Sequence, residues 1–236
     1  MILVVQHETD CPPGLVARPE LRADMRIVHP YRGDAVPTSL APGDALIVLG
    51  GEMGAMDDAQ YPWLTQTKEL IAEAVSAEIP TLLICLGHQL GAVALGGAIG
   101  QYEAGPIWGV TPVGLTDAGR DDPLLRRLPQ GASAVHWNGD IVTELPEDAV
   151  VLARDPRAAV QAVRYGPLAW GFQCHPEVDV EIVARWAAGQ DEVADPGSTA
   201  RAERALDETT QSIDVVQAAW LPVLAAFAAV AMERAG

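Results

Sequence analysis

The sequence predicts an α/β fold: a single domain with a mostly parallel central sheet flanked by helices, carrying a β-rich insertion at one sheet edge. Three observations lead there. Short runs at 2–5, 25–28, 45–49 and 81–84 are dominated by apolar residues rather than alternating, the pattern of strands buried on both faces under helices. Between the third and fourth runs lies a helical repeat, which makes a strand–helix–strand crossover expected to be right-handed. With 236 residues, the chain can bury roughly 70–75% of its unfolded surface and needs no covalent staple.

The first run, Met1-Ile2-Leu3-Val4-Val5, has no basic start and meets Gln6-His7-Glu8 after five residues. It reads as a core strand rather than a cleavable signal. A weaker helix over 14–22 is broken by Pro19. Over 61–78, Leu64, Leu70, Ile71, Ala74 and Val75 fall on one helical face, with Asp57 and Asp58 available to cap and Pro62 in the first turn. After Gly100 the texture changes. Stretches 108–115, 133–136, 150–153, 159–164 and 168–174 read as strands between Gly, Pro and Asp turns, with little helical pattern before 178.

Helices resume over 178–188, 200–212 and 215–234, with an exposed loop at 190–197. The run from Val215 to Met232 is apolar but alanine-rich and holds Gln217 and Pro222, so it is expected to pack on the domain rather than span a membrane. No linker divides the chain. Residues 1–190 are expected to form the domain and 191–236 a helical extension packed on it.

The formal charge of −17, with 15 basic against 32 acidic residues, argues against a nucleic-acid surface, which needs clustered cations. Cysteines at 11, 85 and 174 show neither a disulfide nor a zinc spacing. A reducing, cytoplasmic setting without metal or organic cofactor is the expectation.

The stretch 79–97 organises the rest. An apolar strand leads into Cys85, and after Gly87 the spacing of Leu90, Val93 and Ala94 is helical. Such a turn sets the thiol at the carboxyl end of a strand and the positive end of a helix, where a thiolate is favoured. Taken alone, Cys85 could equally be a small buried apolar residue. In Ala169-Trp170-Gly171-Phe172-Gln173-Cys174-His175-Pro176-Glu177, Pro176 holds His175 extended. His175 and Glu177 then share a face, the relation of a base to the carboxylate that orients it. The glycines of Leu49-Gly50-Gly51-Glu52-Met53-Gly54 bring backbone N–H groups to the same sheet edge. Leu86 together with Gly51 or Glu52 would supply two oxyanion donors. His7, His29, His88 and His136 read as structural or peripheral.

These residues resemble the class I glutamine amidotransferases, and within them free-standing proteins similar to the amidotransferase domain of GMP synthase. The Gly-Gly loop at 50–54, Cys-Leu-Gly-His-Gln at 85–89 and His-Pro-Glu at 175–177 carry the resemblance. Tyr-Pro-Trp-Leu at 61–64, Leu-Gly-Gly at 95–97 and Trp-Asn-Gly-Asp at 137–140 support it, over about residues 1–180. The resemblance implies a flavodoxin-like architecture, a Cys85 nucleophile, His175 as base and acid, Glu177 as its orienter and Gln89 among the groups holding substrate. Trp137 and Asp140 would line the acceptor side. Four positions depart from the family pattern: Leu83 stands for glycine, Glu52 for proline, Asn138 for histidine and Cys174 for phenylalanine.

The implied reaction is hydrolysis of the glutamine side-chain amide through a cysteinyl γ-glutamyl thioester, releasing ammonia to a separate synthetase subunit. Two alternatives stand beside it: a γ-glutamyl hydrolase or peptidase acting on a small conjugate, and a catalytically silent binding module. The sequence leaves a homo-oligomer open.

Overall fold

The computed structural model describes all residues except 19, 20, 22, 23, 104, 158, 191–194, 235 and 236. Its centre is an eight-stranded sheet in the order β2-β1-β3-β4-β12-β11-β10-β7. The members are β1 (Ile2–Val5), β2 (Met25–Val28), β3 (Ala45–Val48), β4 (Thr81–Ile84), β7 (Gly114–Leu115), β10 (Val150–Arg154), β11 (Val160–Gly166) and β12 (Ala169–Phe172). From β2 to β12 neighbours run parallel. From β12 to β7 they run antiparallel. The sheet is therefore mostly the predicted parallel one, extended at one edge by the β-rich segment.

Alternation within each apolar strand feeds two cores. Ile2, Val4, Ile47, Leu82 and Ile84 join one cluster, while Leu3, Val5, Leu46, Val48 and Leu83 join the other. The second face is covered by α1 (Trp63–Ser76) and α2 (Leu86–Ala94), through Leu64, Leu70, Ile71, Leu86 and Leu90. The first is covered by α4 (Val180–Ala188) and α5 (Ser198–Arg234), through Ile182, Val183, Trp220 and Phe227. Both faces are thus dry, as uniform apolarity demands.

Several details differ from the sequence reading. Asp57 and Asp58 do not cap α1, whose N-cap is Pro62 without a side-chain bond. Asp57 instead accepts the Gly54 N–H at 2.8 Å and Asp58 pairs with Lys68 at 2.7 Å. The stretch 108–115 is two strands, β6 (Ile107–Pro112) and β7, because the chain changes sheets at Val113. β6 pairs with β8 (Ser133–Asn138), and β5 (Ala98–Gln101) with β9 (Asp140–Glu144), as separate two-stranded pairs. The short α3 (Asp117–Asp121) interrupts the predicted all-β segment. Of the helix expected over 14–22, a 3-10 turn at Gly14–Ala17 forms, while 19, 20 and 22 lie outside the described residues, as do 191–194 of the expected loop.

The C-terminal helices are one. α5 runs unbroken through the expected gap at 213–214 and through Pro222. A proline inside a helix costs about 3 kcal/mol. Burial offsets it here, since Trp220, Val223, Leu224 and Phe227 around it sit in the core, and the Trp220 indole donates to Ser133 O at 3.0 Å. By length and composition α5 could cross a membrane, but 44% of its most apolar window is buried within the fold.

Candidate active site

β4 ends at Ile84 and α2 begins at Leu86, so a single residue makes the turn. Cys85 does so with φ 50° and ψ −106°, a backbone conformation that L side chains rarely adopt. Its N–H continues the ladder to Phe172 O at 2.7 Å. Gly87 lets the helix start so abruptly: a Cβ there would lie 2.3 Å from Val48 O. As the opening residue of α2, Leu86 presents its N–H without an acceptor one turn earlier.

The neighbouring strand delivers the histidine. β12 pairs with β4 in parallel, Phe172 beside Ile84, and the chain runs on to His175, whose N–H donates to Val135 O at 2.8 Å. His175 Nδ1 and Glu177 Oε1 are 2.8 Å apart, and each residue is about 2% exposed. Burial alone would lower the imidazole pKa; Glu177 and Cys85, both hydrogen-bonded to it, carry it up to about 10. With Nδ1 occupied by the carboxylate, Nε2 is the ring nitrogen that serves Cys85.

The glycine loop closes over this pair. A Cβ on Gly50 would lie 3.0 Å from His175 Cε1 and 3.6 Å from Cys85 Cβ; one on Gly51 would lie 3.0 Å from Leu86 Cδ2. Glu52, the other expected donor, has its N–H directed at the Glu8 carboxylate, so Gly51 is the better placed of the two. Gln89 does not reach out alone: its amide donates to Asp140 O at 3.0 Å and to Gln173 Oε1 at 3.5 Å.

Gln173 was not singled out by the sequence. Fully buried, it directs its amide Nε2 at Cys85 Sγ, 3.7 Å away. Its position two residues before His175 in extended chain, hence on the same face, was the available signal. Also unforeseen were Glu8 and Cys11. The Cys11 thiol donates to Glu8 Oε1 at 2.9 Å. Burial, then Glu8, pushes that thiol well up, and burial raises Glu8 against the hydrogen bonds from Cys11 and Glu52.

Two cavities meet at Cys85. One of about 250 Å³ is lined by Gln89, Asn138, Asp140 and the glycine loop. The other, of about 160 Å³, is lined by His175, Glu8, Asp10, Cys11, Arg185 and Trp186. Trp137, Gly51 and Glu52 border both. Trp137 stacks on Trp108 at 4.8 Å, and Trp186 stands 4.7 Å from the His175 ring.

The departing positions are accommodated. Asn138 Nδ2 donates to Asp140 O at 3.1 Å, Cys174 is fully buried with burial raising its thiol, and Leu83 lies in the core under α2. Three other histidines are buried and held neutral. Burial lowers His7 to about 4, His88 to about 3 and His136 to about 4. His7 accepts the Trp63 indole N–H at 3.2 Å, His88 meets Tyr165 at 2.9 Å and His136 bonds Gln161. Among the described residues no cluster of three or more His, Cys, Asp or Glu is placed to hold a metal ion.

This strand–turn–helix arrangement has close counterparts. The sequence pattern described as glutamine amidotransferase class-I matches residues 20–182. The chain belongs to the class I glutamine amidotransferase family. Among relatives of this chain, the glutamine amidotransferase-like protein YfeJ of Salmonella typhimurium is 36% identical over 156 residues, 65% of this chain and 64% of YfeJ. The chain thus spans just under two thirds of that relative. A subunit of the glutamine-hydrolyzing GMP synthase of Saccharolobus solfataricus is 31% identical over 159 residues, 67% of this chain and 78% of that one. The crystal structure of SMU.1228c superposes with a TM-score of 0.80 at 29% identity, covering 94% of this chain and 98% of that one.

Proposed function

We propose that this amidotransferase hydrolyses the side-chain amide of glutamine through a γ-glutamyl thioester on Cys85. The observation that carries it is the buried 2.8 Å contact of His175 with Glu177 beside a cysteine in a strained turn. Cys85 as thiolate attacks the γ-carbonyl carbon, and the oxygen charge falls to the N–H groups of Leu86 and Gly51. Two such donors supply several kcal/mol of transition-state stabilisation, roughly 3–4 kcal/mol for each. The C–N bond breaks as His175 gives its proton to the departing nitrogen. Water, losing a proton to His175, then cleaves the thioester to glutamate. Glu177 holds the imidazole in register and supports its charge, while Gln89 helps to hold the glutamyl moiety in the 250 Å³ cavity. The likeness to one component of a GMP synthase supports a separate synthetase as acceptor of the ammonia.

The test is release of glutamate and ammonia in equal amounts from glutamine. Cys85→Ala should abolish it while circular dichroism stays that of the wild type. Wild-type turnover in that variant would refute the mechanism. A second reading, hydrolysis of a substituted γ-glutamyl amide, is favoured by the separate cavity beside His175.

A further inference from the structure

The two cavities flanking Cys85 differ in one decisive respect: His175 lines the smaller and not the larger. This bears on direction. In the proposed reaction the departing nitrogen must take its proton from His175, so that nitrogen faces the 160 Å³ side while the glutamyl carbons lie toward Gln89. Ammonia leaves a site like this with no need of further room. A cavity of about 150 Å³ holds a group of benzene size, about six heavy atoms, so the space beyond the scissile bond fits a short chain on the amide nitrogen.

The walls define the chemistry of that chain. Glu8, Asp10 and Glu52 contribute three carboxylates, against one guanidinium, Arg185. Arg185 is already paired with Asp10 at 3.4 Å, which leaves Glu8 and Glu52 in excess. Trp137 and Trp186, 5.8 Å apart and inclined at 51°, close the cavity with two indole rings. Aromatic faces and carboxylates together attract a cation and repel a second anion. Asp10, Glu52 and Arg185 are exposed while Glu8 is half-buried, so this charge preference is one that salt screens.

We propose that the cavity beside His175 is a leaving-group subsite for a cationic amine, making γ-glutamyl amides of short diamines the substrates it takes. This deepens the reading above and rests on it. The Cys85 sulfur bonds to the γ-carbonyl carbon, the C–N bond breaks, and His175 protonates the nitrogen. The free diamine departs, its distal ammonium having rested between Glu8, Glu52 and the indoles. Water then releases glutamate, so amide and water give glutamate and amine.

The experiment compares kcat/KM of the full chain for glutamine and three γ-glutamyl amides: N-(4-aminobutyl), N-pentyl and N-(3-carboxypropyl). The cationic amide should exceed the neutral one by about tenfold, the ratio that 1.4 kcal/mol confers, and the anionic one by more. Raising salt to about 0.5 M should narrow both ratios. Glu8→Gln keeps the acceptor for Cys11 but loses the charge, and should bring the cationic-to-neutral ratio toward one. Equal turnover of the three amides, or preference for the anionic one through Arg185, overturns the subsite while glutamine hydrolysis leaves the thioester chemistry standing. If glutamine is untouched as well and a γ-glutamyl chloromethyl ketone fails to label Cys85, both readings fall together.

Discussion

Leu83 fills the place that a side chain at Gly91 would take: a Cβ on Gly91 would lie 2.4 Å from Leu83 Cδ1. The larger residue in β4, where the family pattern has glycine, is matched by the absence of a side chain in the helix above it. The two positions are therefore coupled. Gly91→Ala would stabilise an open helix by about 1 kcal/mol, yet here it should destabilise by roughly 1–3 kcal/mol through overpacking. Leu83→Ala should cost about 2–5 kcal/mol for the void it leaves. Urea denaturation of both and of Leu83→Ala/Gly91→Ala should show the double variant recovering at least about 1 kcal/mol over additivity. Strict additivity would dismiss the compensation.

The positive φ of Cys85 stores strain in the turn. Glycine relieves it, so Cys85→Gly should be more stable than Cys85→Ala by about 1 kcal/mol, although glycine is elsewhere the less stable of the two. Thermal unfolding of the two inactive variants decides it. A more stable alanine variant would show the turn to be unstrained.

Gln173 offers an N–H to the Cys85 sulfur, a contact that strengthens when the sulfur is charged. Loss of a hydrogen bond to a charged group costs about 1.5–3 kcal/mol, so Gln173→Met should lower kcat/KM for glutamine by about 10–100-fold. The same variant should slow iodoacetamide labelling of Cys85 at neutral pH, located by peptide mapping because Cys11 and Cys174 are also free. Unchanged labelling would confine Gln173 to packing.

Acid should unfold this protein through its interior. His7, His88 and His136 are lowered by burial to about 4, 3 and 4, so below about pH 6.5 the unfolded chain takes up protons that the folded one refuses. Their contribution is complete above about pH 6.5 and is lost as pH falls toward about 4, at up to about 1.4 kcal/mol per pH unit for each. His175 runs the other way: raised to about 10 from the ordinary 6.5 of a free imidazole, it contributes stability below pH 6.5 that is lost as pH rises through 10. Urea midpoints from about pH 4 to about pH 10 should fall at both ends, and Glu177→Gln should flatten the alkaline limb. An alkaline limb identical in that variant would deny the pair its charge.

The parallel half of the sheet was legible because β1, β3 and β4 are buried on both faces and so carry apolar residues without interruption. The Cys85 turn was legible from the change of period after Gly87. The edge was harder. β5 is half-buried and holds Gly100, so no pattern marks it, and Val113 switches sheets inside one β-branched run. The continuity of α5 was hidden because Pro222 and Asp214 are local break signals that only tertiary burial of Trp220 and Phe227 overrides. Types and spacing marked Cys85, His175 and Glu177 as candidates, and the family resemblance supplied the roles expected of them. Gln173 offered only its place on the His175 face, because its contact with Cys85 spans 88 residues; Glu8 and Cys11, three residues apart, carry no motif that ties them to the site.

Gln173 and Cys85 are 88 residues apart, yet they meet because β12 inserts beside β4 rather than at the margin of the sheet. The chain must therefore leave β4, build the whole antiparallel edge, and come back to dock a strand in the middle. Until it does, the thiol has neither its histidine nor its amide, and the parallel half stands open at β4. Reactivity is thereby tied to a long-range closure of the sheet, so a chain that lacks the β4–β12 pairing carries an unassisted cysteine. Activity measured during refolding would report completion of the sheet itself.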